Sequence, residues 1–328
     1  MIKEIHCFGT SFTEGAGFEW WKYEVVKETY RPYIDEYPKE ETTFPFSWPG
    51  QLKKLLPKDI KVSNHAKCGW GNQRVYRKVM EIVNQPNFKP KEHLFLIEFS
   101  EASRAEFWSV EKQKHFLINY NVKDSTFLDR GEYGNGGPVF DYQRTPSEDD
   151  KNYLKRISPI MSEYMKTTFS ENDVIRRIEQ NQVTFSSFME LFELNWLVPL
   201  PNAFCFNPIW YDKLYKDKLI TDKNDMCHQY SIQQNGYGFK SETSGVWDDG
   251  HGGLAWSEMI SMKTYNLMIE WGYLTNTEKL DVSELKLNDR KIQIRKEISK
   301  SNSFEPDPNR TKPLKGSWQG LFRKDTLI

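Results

Sequence analysis

A serine, an aspartate and a histidine stand in this chain where together they could perform acyl transfer. Ser11 lies in the run His6-Cys7-Phe8-Gly9-Thr10-Ser11-Phe12-Thr13-Glu14-Gly15. The run follows the apolar opening Met1-Ile2-Lys3-Glu4-Ile5, which predicts a buried first strand ending in a glycine-flanked turn. Asp248 and His251 lie in Trp247-Asp248-Asp249-Gly250-His251, a glycine-rich loop ahead of helical spacing through Met259, Ile260, Met262, Tyr265, Met268 and Ile269. A serine hydroxyl becomes a nucleophile when an imidazole takes its proton and a carboxylate fixes the imidazole tautomer. Asp248, three residues before His251, can fold back to accept the ring N–H. Each part alone has a plainer reading: a serine bonding its own turn, and an aspartate capping a helix beside a solvated histidine.

The elements that would position these groups follow from periodicity. Residues 60–64 alternate like a second strand, and Gly69-Trp70-Gly71-Asn72 opens a helix with Val75, Val79 and Ile82-Val83 on its apolar face. Glycines between strand and helix let backbone N–H groups approach a ligand where the helix dipole favours negative charge. His93-Leu94-Phe95-Leu96-Ile97-Glu98-Phe99-Ser100 is a nearly continuous apolar run, as expected for the middle of a parallel sheet. Ser47 is the expected N-cap of a helix reaching residue 56, with Pro49 in its first turn. Residues 107–110 and 115–118 suit a hairpin. Two further helices are expected, one from residue 147 with Tyr153, Leu154, Ile157, Ile160, Met161 and Tyr164 on one side. The other spans 171–194, with Phe185, Phe188, Met189 and Phe192 among its inward residues. Residues 196–201 read as a turn into a strand at 203–206.

The order of Ser11, the Gly69 turn and the Asp248-x-x-His251 pair resembles that of the SGNH (GDSL-like) hydrolase family. Two blocks differ from its pattern: Thr10 stands where an aspartate is usual, and Phe99-Ser100-Glu101-Ala102 stands where the family carries Gly-x-Asn-Asp. The resemblance implies an α/β protein with a three-layer α/β/α, flavodoxin-like core and a parallel sheet. It implies Ser11 as nucleophile, His251 as general base, Asp248 as its orienting carboxylate, and the N–H groups of Ser11 and Gly69 as oxyanion donors. The third donor is either missing or supplied by Asn72, Ser100 or Arg104. Loss of one donor costs roughly 100- to 1,000-fold in rate, so a slow esterase acting on a carbohydrate O-acyl group is the expectation. No cofactor and no metal is expected. The α/β-hydrolase elbow needs glycine two residues after the serine, where Thr13 stands; P-loop and dinucleotide glycine patterns are absent.

The 328 residues suit one elaborated domain over residues 1–272, with insertions near 18–44, 105–146 and 207–245, and a C-terminal extension over 273–328. The aromatic segment near 18–44 could stack on a sugar or simply pack on the body. A net charge of −1 provides no bulk attraction for nucleic acid or a membrane. Cys7, Cys68, Cys205 and Cys227 lack CxxC spacing and read as free thiols. With Lys3 and Glu4 inside the opening strand, no leader is expected, and the cytoplasm is the expected location. The competing class is a non-catalytic, carbohydrate-binding or assembly module whose cationic tail grips a partner or a second copy. Long inserts and tail are similar to those of SGNH-like proteins of tailed bacteriophages, which would place it with the virion.

Overall fold

The first strand, β1 (Glu4–Phe8), is buried from Ile5 to Phe8 because it has a parallel neighbour on each side. These neighbours are β2 (Lys61–Asn64) and β3 (His93–Glu98), and β3 pairs in turn with β6 (Asn195–Leu200), also in parallel. The sheet order is β2-β1-β3-β6. In between, β4 (Arg104–Ser109) and β5 (Lys114–Asn119) form a separate antiparallel hairpin, as the sequence predicts. The computed structural model describes residues 1–15, 44–67, 70–100, 104–119, 148–168, 171–200, 218, 254–275 and 277–282. Among the described residues the chain is therefore an α/β protein with a parallel sheet of four strands.

Alternation along β1 sends its side chains to two different apolar clusters. Ile5 and Cys7 join Leu94, Leu96 and Leu197 under Trp48 and Leu52 of the Trp48–Leu55 helix and Met259, Ile260 and Met268 of the Leu254–Glu270 helix. Phe8 joins Phe95, Ile97, Trp196 and Val198 under Val75 and Val79 of the Asn72–Val83 helix and Phe185 and Met189 of the Glu171–Leu191 helix. Helices thus cover both faces, which explains why β1 and β3 read as near-continuous apolar runs. Burying each such Leu, Ile or Phe contributes roughly 1.5–3 kcal/mol.

Several details depart from expectation. Ser47 precedes the Trp48–Leu55 helix but makes no side-chain cap bond; its Oγ donates instead to the Phe44 carbonyl, 2.9 Å away. The same loop presses on Gly50, where a Cβ would stand 1.7 Å from the Phe44 oxygen. The expected turn at 196–201 is mostly strand β6, and the actual turn comes earlier. The preceding helix stops at Leu191, Glu193 adopts a left-handed φ of 50°, and the Leu194 N–H closes on the Met189 carbonyl at 2.9 Å. Pro199 suggests a turn but sits where the β3–β6 register shifts, a place in the ladder where a missing N–H is tolerated. The Glu148–Thr168 helix is buried at Tyr153 and Leu154 but surfaces at Ile160, 67% exposed, directly after Pro159 interrupts its ladder. Phe192 lies beyond the helix expected to hold it and is 48% exposed. The expected strand at 203–206, the body of the three insertions and most of the 273–328 extension lie outside the described residues. Among the described residues, no helix is long and apolar enough to cross a membrane.

Candidate functional site

All four strands run the same way, so their carboxyl ends gather at one edge, the usual place for ligands in open α/β sheets. There β1 passes through Gly9 and Thr10 into the short helix Ser11–Glu14, closed by the Glu14 N–H on the Thr10 carbonyl at 2.9 Å. The main chain of Ser11 therefore begins a helical turn directly beyond β1.

That turn is held by a buried carboxylate. Glu98, the last residue of β3, is 2% exposed, and its Oε2 accepts the N–H groups of Thr10 and Thr13, each at 3.0 Å. The Thr13 hydroxyl donates to the same oxygen at 2.5 Å, and the Thr10 hydroxyl donates to Oε1. Trp48 Nε1 donates to Thr13 Oγ1 at 3.1 Å, which leaves the Thr13 hydroxyl proton for Glu98. From β2, Asn64 Nδ2 donates to the Thr13 carbonyl at 2.7 Å. Burial pushes the Glu98 carboxyl above its ordinary range, against the opposing pull of its hydroxyl and amide donors. Gly9 is what lets the carboxylate approach: a Cβ there would lie 2.3 Å from Glu98 Oε2 and 2.7 Å from both Glu98 Cβ and Thr13 Oγ1. Glu98 went unread as a site residue in the sequence, although one acid inside an apolar central strand is a signal, since glutamate is rarely buried unpaired.

Asn72 and Ser100, expected as alternative oxyanion donors, lie together in the same region. Asn72 Oδ1 accepts the Ser100 N–H at 2.6 Å, and Nδ2 donates to the Ser100 carbonyl at 3.2 Å. The Ser100 hydroxyl donates to the Trp70 carbonyl at 2.8 Å. These bonds tie the end of β3 to the start of the Asn72–Val83 helix. Asn72→Ala is expected to destabilise the chain by about 2 kcal/mol, because two buried hydrogen bonds to the Ser100 main chain are lost together. Urea unfolding measures this, and a change below about 0.5 kcal/mol would contradict a fastening role.

Trp70, the residue after Gly69, carries two cations on its ring: Lys67 Nζ lies 5.8 Å and the Arg74 guanidinium 5.5 Å from its centroid. Lys67 is buried, and burial lowers the Arg74 pKa. Such a rim favours a substrate or intermediate that carries negative charge. Arg104 begins β4, its backbone paired with Asn119. Gly69, Asp248 and His251 lie outside the described residues; the helix following His251 starts at Leu254 and packs against the Trp48–Leu55 helix.

No family model, curated protein or solved structure matches the chain. The case for its chemistry therefore rests on the geometry of this edge.

Proposed function

We propose that the chain is a serine hydrolase of the SGNH type, cleaving an ester, with an O-acyl group on a carbohydrate as substrate class. The observation that carries the reading is the position of Ser11. It stands on a turn at the carboxyl end of β1, flanked on both sides by parallel strands, and that turn is clamped from β3 through Glu98. A three-layer, flavodoxin-like arrangement agrees with the strand order and with helices on both faces.

In this reading His251 takes the Ser11 proton as the hydroxyl attacks the acyl carbon, and Asp248 stabilises the imidazolium. The N–H groups of Ser11 and Gly69 hold the tetrahedral oxyanion, with Lys67 and Arg74 adding positive potential nearby. His251 then protonates the leaving alcohol, and water releases the acyl-enzyme by the same route. Glu98 is a positioning residue: by fixing Thr10 and Thr13 it fixes the turn between them that carries Ser11.

The second reading is a non-catalytic module with a ligand-binding edge, its cationic C-terminal extension gripping a protein partner. It is favoured by Asn72 and Ser100, whose polar groups bond one another and Trp70. A fluorophosphonate probe separates the two. Hydrolysis requires labelling of the native chain that disappears in Ser11→Ala and falls at least about 1,000-fold in rate in His251→Ala. No labelling, together with no turnover of activated acetyl esters near about pH 8, where a histidine base is neutral, leaves the binding module.

A further inference from the structure

Toward the amino ends of β1 and β3, Glu4, His6 and His93 converge, and His65, which follows β2, closes in behind His6. Strand register brings them there: Glu4 pairs with His93 and His6 with Phe95, so Glu4, His6 and His93 project from one face. His6 Nε2 lies 2.9 Å from His93 Nδ1 and 3.9 Å from Glu4 Oε2. The three ligand atoms all fall within 4.8 Å of one another. On the other side of the His6 ring, Nδ1 lies 3.1 Å from Nε2 of His65, the residue that follows β2. Phe95 stacks on His6, Phe8 on His65 and Phe88 packs against His93, so the rings are held by apolar neighbours.

We propose that Glu4, His6 and His93 form a binding site for a divalent transition metal, zinc being the best fit, with His65 supporting it from behind. Two imidazoles and a carboxylate make a common three-protein-ligand set for zinc, with a fourth position left for water. Two nitrogens on one tetrahedral zinc, each at about 2.0 Å, stand about 3.3 Å apart, so the His6–His93 gap opens by only a few tenths of an ångström. The Glu4 oxygen, 3.9 Å from His6 Nε2, moves in by about 0.6 Å.

The proton arrangement also suits a metal. With His6 protonated at Nδ1, it donates to His65 Nε2, the outer-sphere bond that metal-ligating histidines almost always make. His6 Nε2 then presents a lone pair, and His93 Nδ1 does so once its proton, which bridges to His6 Nε2 without the ion, moves to His93 Nε2. One group opposes the ion. Lys61 Nζ stands 3.5 Å from Glu4 Oε2, but its side chain is 68% exposed and can swing into solvent.

Its three ligands tie β1 to β3 toward their amino ends, and the site neither needs nor tests the hydrolase reading. Calorimetric titration of zinc chloride into the metal-free full-length chain tests it. The expected result is one binding event that weakens at least about 100-fold in His93→Gln and about 10- to 100-fold in His65→Phe. The same event tightens several-fold in Lys61→Gln and is unaffected in His115→Gln and His228→Gln. Cobalt(II) in place of zinc should show visible ligand-field bands without a thiolate charge-transfer band, because the ligands are nitrogen and oxygen. Should His93→Gln fail to fold by circular dichroism, Glu4→Gln, altered at a half-exposed carboxylate, makes the same test. Equal binding by wild type and the ligand variants, a thiolate band, or no zinc uptake by wild type would overturn the proposal.

Discussion

Gly9→Ala should lower the melting temperature by about 10 °C and abolish order in the turn that carries Ser11. The added methyl carbon arrives 2.3 Å from Glu98 Oε2 and 2.7 Å from Glu98 Cβ and Thr13 Oγ1. A clash with a freely moving side-chain tip would be relieved by a rotamer change. Here the tip accepts four hydrogen bonds and the residue closes a central strand, so Glu98 can yield only by releasing Thr10 and Thr13. Overpacking of this kind costs about 3 kcal/mol, which in a domain of this size corresponds to the shift stated. In combination with Glu98→Ala the penalty should be less than additive, because that variant has already removed the nearest oxygen. An unchanged melting temperature in Gly9→Ala would mean that Gly9 does not lie against Glu98 in solution.

The parts of the fold that rest on local pattern were legible in the sequence. Buried strands β1 and β3 announce themselves as apolar runs, and the Asn72–Val83 helix by Val75, Val79 and Ile82 at helical spacing. What pattern does not reveal is which groups meet. Glu98 is one letter in a strand until Thr10 and Thr13, 88 and 85 residues earlier, arrive with their N–H groups. Likewise Glu4, His6 and His93 match no short metal motif; the parallel register of β1 and β3 assembles them. Strand β6 was hidden for a different reason. Pro199 is a strong turn signal on its own, and only the register shift against β3 makes proline acceptable there. Ile160 illustrates the limit of an apolar stripe, since periodicity says which residues share a side and not how far a neighbour extends over it.

The charge of Glu98 should matter less than its shape, and the difference between Glu98→Gln and Glu98→Leu should show it. Leucine removes the acceptor for two buried N–H groups and two buried hydroxyls, so a loss of about 3–5 kcal/mol is expected at every pH. Glutamine can keep an oxygen at the Oε2 position for Thr10 N, Thr13 N and Thr13 Oγ1, and turn its amide toward the Thr10 hydroxyl as a donor. It should stay within about 1 kcal/mol of wild type near neutrality. The comparison with glutamine then acquires a pH dependence of definite sign. Burial holds the native Glu98 carboxyl above its ordinary 4.5, while the unfolded chain titrates near that value. Between the two, the native state binds more protons than the unfolded state, so this group's contribution is whole below about 4.5 and declines as pH rises through the native value. The wild type should therefore lose ground to Glu98→Gln on going from acid to neutral pH, as read from urea midpoints at a series of pH values. A wild type that instead gains on Glu98→Gln as the pH rises would mean that the four donors outweigh burial. The turn carrying Ser11 would then be fastened by a true carboxylate anion.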